Sequence, residues 1–142
     1  MYKNILLPVD LNHDSSWQKA LPVAIDHCKT FGATLHIMTV VPDFGMPLVA
    51  SYFPEDFETK VREDANRQLH DFVKSHVGET VPVQHIVAEG VFYKEIIRVA
   101  EEIDADIIIM ASHHPELKDY LLEPNAERVV RHSDKSVLVV RN

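Results

Sequence analysis

The 142-residue sequence predicts an α/β fold: a doubly wound, open parallel sheet with helices on both faces. Three observations predict it. Strand-like and helix-like segments alternate, in the order β α β, loop, α β α β α β. Two strand segments, Asn4–Val9 and Ile107–Ala111, are continuous apolar runs, the pattern of strands buried on both faces. Right-handed crossovers on such a sheet then leave the doubly wound arrangement as the favoured topology. The length suits one domain, residues 1–142, and no internal repeat or low-complexity stretch divides the chain.

The elements follow in order. The run Asn4–Val9 is ended by Asp10, and Asp14, Ser15 and Ser16 then offer helix N-cap side chains. From Trp17, the residues Ala20, Leu21, Ala24, Ile25 and Cys28 recur at helical spacing until Gly32, with Pro22 either in the first turns or at a kink. Ala33–Val41 is the second strand, stopped by Pro42. Residues 42–54 read as a loop that is unusually apolar, with Phe44, Met46, Leu48, Val49, Tyr52 and Phe53. It either folds back onto the core or forms a partner surface or a lid.

Glu55–Val77 is the longest helix, with Phe57, Val61, Ala65, Leu69, Phe72, Val73 and His76 on one face and Gly78 at its end. Val81–Glu89 alternates as a strand with one wetter face, and Gly90 turns the chain. Phe92–Ile103 is a helix, 104–106 a tight link, and Ile107–Ala111 the second buried strand. Ser112–Asp119 reads as a polar turn, 120–132 as a helix and Ser136–Val140 as the last strand.

Composition excludes several classes. Hydrophobic residues make up 46% and charged residues 25%, a usual globular mix. With 1 Cys there is no disulfide scaffold, and the lone Cys28 suits a reducing compartment. No apolar run reaches the roughly 18 residues of a membrane span. The opening MYKNILLPVD lacks the long apolar stretch and cleavage site of a signal peptide, so a cytoplasmic location is expected. A net charge of −8, from 22 acidic and 14 basic residues, argues against a nucleic-acid backbone binder.

In an open parallel sheet, ligands bind beyond the carboxyl ends of the strands, at the switch point. That rule gathers Pro8–Asp14, Val40–Phe44, Glu89–Val91 and Ala111–Pro115 around one crevice. Asp10 there either accepts hydrogen bonds from a ribose or adenine, or caps the turn that follows the strand. The segment after the fourth strand, with Ser112, His113, His114 and a helix starting near Pro124-Asn125-Ala126, is the strongest local feature. The chain has no G-x-G-x-x-G and no G-x-x-x-x-G-K-S/T. The adjacent pair His113-His114 has neither a cysteine nor a third histidine at ligand spacing, so no metal is expected. Ser112 lacks the G-x-S-x-G elbow, and Cys28 lies on an apolar helix face, where packing is its expected role. Trp17 is expected to anchor the core or make an edge contact.

These segments together resemble the universal stress proteins. KNILLPVDLNHDSS resembles the family's opening strand followed by P-V/I/L-D-x-S, and GATLHIMTVVP its second strand. Gly90 with KEIIRVAEEIDADIIIMASH, and then NAERVVRHSDKSVLVVRN, match its later segments in order. The resemblance covers the whole chain, and ASHHP followed by YLL and NAERVVRH is most similar to the F/G-type branch. It implies a sheet of order 3-2-1-4-5, an adenine nucleotide alpha hydrolase-like fold, and a homodimer. The homodimer would form through the apolar edge strand Val137, Leu138, Val139 and Val140.

Many members bind ATP through G-x2-G-x9-G-S/T after the fourth strand; others lack the motif. Carried onto this chain, its glycines become Ala111, His114 and Glu123 and its hydroxyl residue Pro124, with the spacing one residue shorter. Pro124 removes an N–H, and Glu123 adds a charge that repels phosphate. Pro8, Asp10, Val40, Met110 and Asn125 still match pocket positions. The resemblance therefore implies either a stress protein that takes adenosine, AMP or ATP weakly, or a dimeric module that acts through protein partners without nucleotide; in neither case is it an enzyme beyond a weak ATPase. His113 and His114 either hydrogen-bond the loop and meet solvent, or serve when protonated as anion donors in place of the lost glycine amides.

Overall fold

The computed structural model describes residues 1–41, 57–112 and 125–141. Five strands, β1 (Asn4–Pro8), β2 (Thr34–Val41), β3 (Val83–Glu89), β4 (Ile107–Ser112) and β5 (Ser136–Arg141), form one sheet. Its order is β3-β2-β1-β4-β5, and every neighbouring pair is parallel. The helices among the described residues are α1 (Ala20–Phe31), α2 (Phe57–His76), α3 (Phe92–Glu102) and α4 (Asn125–His132). This is the predicted doubly wound sheet, in the order the resemblance implied.

The apolar runs behave as expected of doubly covered strands. Ile5, Leu6, Leu7, Ile108 and Ile109 are fully buried. Because side chains alternate along a strand, successive residues feed two separate cores. Ile5, Leu7 and Val9 pack with Ala24 and Cys28 of α1 and Leu69 and Phe72 of α2. Leu6, Ile108 and Met110 pack with Ile96 and Val99 of α3 and Val129 of α4. Trp17 anchors the first core as expected, edge-on to Phe72 and His76, with ring centroids 4.9 and 4.6 Å away.

Several boundaries differ from the sequence reading. Asp14–Ser16 is a separate single turn of 3-10 helix, and no side chain caps α1, which begins at Ala20. Pro22 explains this. It occupies the third helical position, where a missing N–H costs nothing, and an α-helix continued upstream would drive its ring into the preceding turn. Ser112, read as the start of a turn, instead extends β4 and pairs with Arg141, which lengthens β5 by one residue. The third strand begins at Val83, because Pro82 has no N–H for the ladder, although its carbonyl accepts from the Leu35 N–H at 2.9 Å. The apolar segment 42–54, the helix start at Glu55 and residues 120–124 lie outside the described residues.

Two glycines set chain direction. Gly32 closes α1 in the left-handed region at φ 66°. Gly90, at φ 137°, donates to the Val41 carbonyl at 3.0 Å, and a Cβ there would meet Glu95 Oε1 at 3.0 Å. The link between α3 and β4 is stapled to β1. Asp106 Oδ2 accepts from the N–H groups of Lys3 (2.7 Å) and Asn4 (2.8 Å), and the Asp106 N–H donates to the Asn4 carbonyl at 2.8 Å.

Candidate functional site

The strand order reverses between β1 and β4. Chain travel goes from β1 outward through β2 to β3, then crosses to β4 and β5 on the other side. The ladder at this seam is short. β1 and β4 pair only at Ile5–Ile107 and Leu6–Ile108, whereas β1 and β2 pair from Asn4–Thr34 to Pro8–Met38. The cause is in the sequence. Backbone groups point alternately to the two neighbouring strands, and the Val9 N–H donates to Met38 of β2 at 2.8 Å. Residue 8 therefore faces β4, and as a proline it has no N–H to offer. The β1–β4 ladder is thus open at the carboxyl ends of the two strands, at the switch point where open parallel sheets bind ligands.

Among the sequence-nominated residues, Pro8 ends β1 and Asp10 follows two residues later, Val40 lies near the end of β2, and Met110 and Ala111 lie near the end of β4. α4 ends at His132, three residues before β5 starts at its amino end, so Asn125 opens α4 towards the carboxyl side of the sheet. These six residues are on one side of the molecule. Their availability differs. The Met110 side chain is 4% exposed and belongs to the core shared with α3 and α4, so only its backbone can meet a ligand. Val40 is partly buried against the same core, and Ala111 against the core of α1 and α2. His113, His114, Glu123 and Pro124 lie outside the described residues.

Asp10 resolves towards the turn. Its Oδ1 accepts from the Asn12 N–H at 3.0 Å, and its Oδ2 lies 2.8 Å from His13 Nδ1. The Asp10 N–H donates to Ser16 Oγ at 2.9 Å. The Ser16 hydroxyl in turn reaches the carbonyls of Asp10 (2.9 Å) and His13 (2.8 Å). The aspartate thus organises the loop between β1 and the 3-10 turn. Its carboxylate remains 40% exposed, with lone pairs left over for a further donor. Sequence reasoning treated Ser16 as a helix cap and missed this role. A serine six residues after an aspartate has no fixed signature, because the loop geometry that joins them is tertiary.

At the end of β3, Glu89 is 12% exposed and forms an ion pair with Arg62 of α2, which also faces Glu58. Hydrogen bonding and charge from Glu89 hold the Arg62 guanidinium in its charged form. The Glu89 charge at the end of β3 is therefore compensated by Arg62. Cys28 is confirmed as a packing residue: it is 1% exposed, and burial pushes its thiol up to about 11. Among the described residues, no group of three or more His, Cys, Asp or Glu is placed to hold a metal ion. No described helix is long and apolar enough to cross a membrane. An open concavity of about 430 Å³ lies at the opposite end of the sheet, lined by Asn4, Thr34, His36 and Gln84. Its His36 is already bonded to Asn4 Oδ1 at 3.0 Å.

Fold and placement together define a doubly wound α/β protein with a switch point between β1 and β4. Residues 1–141 match the model of the Universal stress protein family, and the chain belongs to that family. It is 31% identical to universal stress protein G of Escherichia coli O157:H7, over 99% of this chain and 100% of that one. It is 28% identical to universal stress protein MJ0577 of Methanocaldococcus jannaschii, over 99% and 96%. The solved structure of MJ0577 superposes with a TM-score of 0.70, at 30% identity, over 100% of this chain and 97% of that one. A universal stress protein solved in complex with cAMP shares the fold, with a TM-score of 0.66 at 20% identity over 99% and 97%. These similarities agree with the F/G-type resemblance read from the sequence.

Proposed function

We propose that this protein is a cytoplasmic regulatory stress protein whose switch-point crevice accepts adenosine or AMP, and which has lost strong recognition of the outer phosphates of ATP. The observation that carries the reading is the seam between β1 and β4. Its ladder stops at Leu6–Ile108, and Asp10 and the Met110-Ala111 backbone stand just beyond the stop. The related protein held with cAMP supports an adenine monophosphate as the class of ligand. Against the triphosphate stands the sequence Glu123-Pro124, where the family motif has a glycine and a hydroxyl residue. A carboxylate about 4 Å from a phosphate costs ~1 kcal/mol in water and ~4 kcal/mol at an effective dielectric near 20. That is roughly five- to a thousandfold in affinity. No catalytic residue is assigned, and turnover beyond a weak ATPase is not expected.

One observation favours a second reading, a homodimer that works through protein partners without nucleotide. Both Asp10 carboxylate oxygens are already engaged within their own loop. Titration calorimetry with ATP, AMP and adenosine separates the two. The first reading expects adenosine and AMP to bind and ATP to bind more weakly. It also expects the double variant Glu123→Gly, Pro124→Ser to regain ATP. Titrations that show no binding of any of the three ligands, in the wild type and in the double variant, refute the first reading and leave the second. ATP binding far tighter than AMP refutes the degraded phosphate end.

A further inference from the structure

We propose that Arg141, set against Ser112 across the carboxyl ends of β5 and β4, is the residue that receives the phosphate of a nucleoside monophosphate in the crevice. The proposal rests on the nucleotide reading above and deepens it. Ser112 and Arg141 are the last rung of the β4–β5 ladder, so both side chains leave the same face of the sheet. Ser112 lies two residues beyond Met110, on the face covered by α3 and α4. Arg141 Nη1 donates to Ser112 Oγ at 3.5 Å.

The surroundings of Arg141 set it apart from the other arginines. Arg62, Arg67, Arg98 and Arg131 each face a carboxylate, and Arg128 lies over the Tyr93 ring at 5.0 Å. Among the described residues, Arg141 has no ion pair, and its bond to Ser112 uses one of five guanidinium donors. An exposed arginine is by itself an ordinary solvated side chain. Its place in the sheet makes this one more than that. β1 and β5 are separated by β4 alone, which puts the two strands about 10 Å apart. A nucleoside with its sugar near Asp10 and its 5′ end directed across β4 brings one phosphate to Arg141. A guanidinium beside a hydroxyl is a donor pair suited to phosphate oxygens, with the geometry of a fork rather than a point charge. One cation serves one phosphate and leaves the rest of a triphosphate uncompensated.

The test compares adenosine and AMP by titration calorimetry in the wild type, Arg141→Gln and Arg141→Lys, with urea unfolding to show that each variant is folded. The expected result is that Arg141→Gln reduces the preference for AMP over adenosine by about fivefold or more, with adenosine affinity unchanged, and that Arg141→Lys recovers part of it. A smaller reduction, or an equal loss of adenosine, overturns the role of Arg141 and leaves the nucleotide reading standing. If neither ligand binds the wild type, the nucleotide reading fails and this inference falls with it.

Discussion

Single carboxyl and thiol groups carry consequences that can be measured. Asp106 takes two backbone N–H groups at the start of β1, and the bonds from Asn4 and Lys3 hold its carboxyl below the ordinary value of 3.8. A lowered carboxyl stabilises the native state above its unfolded value, and the gain is lost as pH falls through the folded value. Unfolding by urea should therefore show a loss of stability below about pH 4 that Asp106→Ala lacks. At neutral pH, Asp106→Ala should destabilise by about 1 kcal/mol, because the exposed Lys3 N–H and the half-buried Asn4 N–H lose a charged acceptor that water replaces only in part. Cys28 gives the converse case. Burial raises its thiol to about 11, so at pH 8 it is protonated as well as inaccessible. Iodoacetamide should leave Cys28 unmodified in the native protein and label it fully in urea; rapid native labelling would mean that α1 opens locally.

At the scale of elements, the contact between α2 and β3 is expected to respond to pH. His70 of α2 and His85 of β3 stack with ring centroids 3.7 Å apart at 17°. Burial lowers His85 below the ordinary 6.5, and the neighbouring His70 lowers it further. Asp71, Lys74 and Glu79 line the same side. On β2, burial likewise lowers His36, which bonds to Asn4. A histidine lowered in the folded state binds its proton more readily when unfolded, so its contribution is complete above about pH 6.5 and declines as pH falls. Stability to urea should thus be lower near pH 5.5 than near pH 7.5, and the double variant His36→Gln, His85→Gln should flatten the profile. An equally steep profile in that variant would assign the effect elsewhere. Neither the stack nor its pH dependence was visible in the sequence, because His70 and His85 are brought together only by the crossover of α2 onto the sheet edge.

At the scale of the whole molecule, the sheet has an edge that a second copy can pair with. β5 is an edge strand in the observed order, and Val137, Leu138, Val139 and Val140 are all half-buried in the isolated chain. An apolar edge invites pairing with a copy of itself about a two-fold axis, which is the homodimer we propose. Sedimentation equilibrium at micromolar concentration should find a dimer; a monomer throughout that range would remove the proposal.

The sequence by itself determined the class of fold. The apolar runs Asn4–Val9 and Ile107–Ala111 can be buried only between two helical layers, and alternation with amphipathic helices leaves a parallel sheet. It also gathered the carboxyl ends of the strands on one side of the sheet, since that follows from the parallel topology alone. Pro8 was legible as a residue at the carboxyl end of β1 but not as the cause of the open seam, which depends on which neighbouring strand its missing N–H faces. Tertiary structure alone decided that Asp10 is tied to Ser16 and His13, that Met110 is a core side chain and that Ser112 continues β4 to meet Arg141. The physical reason is common to all three. Hydrophobic periodicity reports which face of an element is buried, whereas a polar side chain's partner is set by distances between elements that no local pattern encodes.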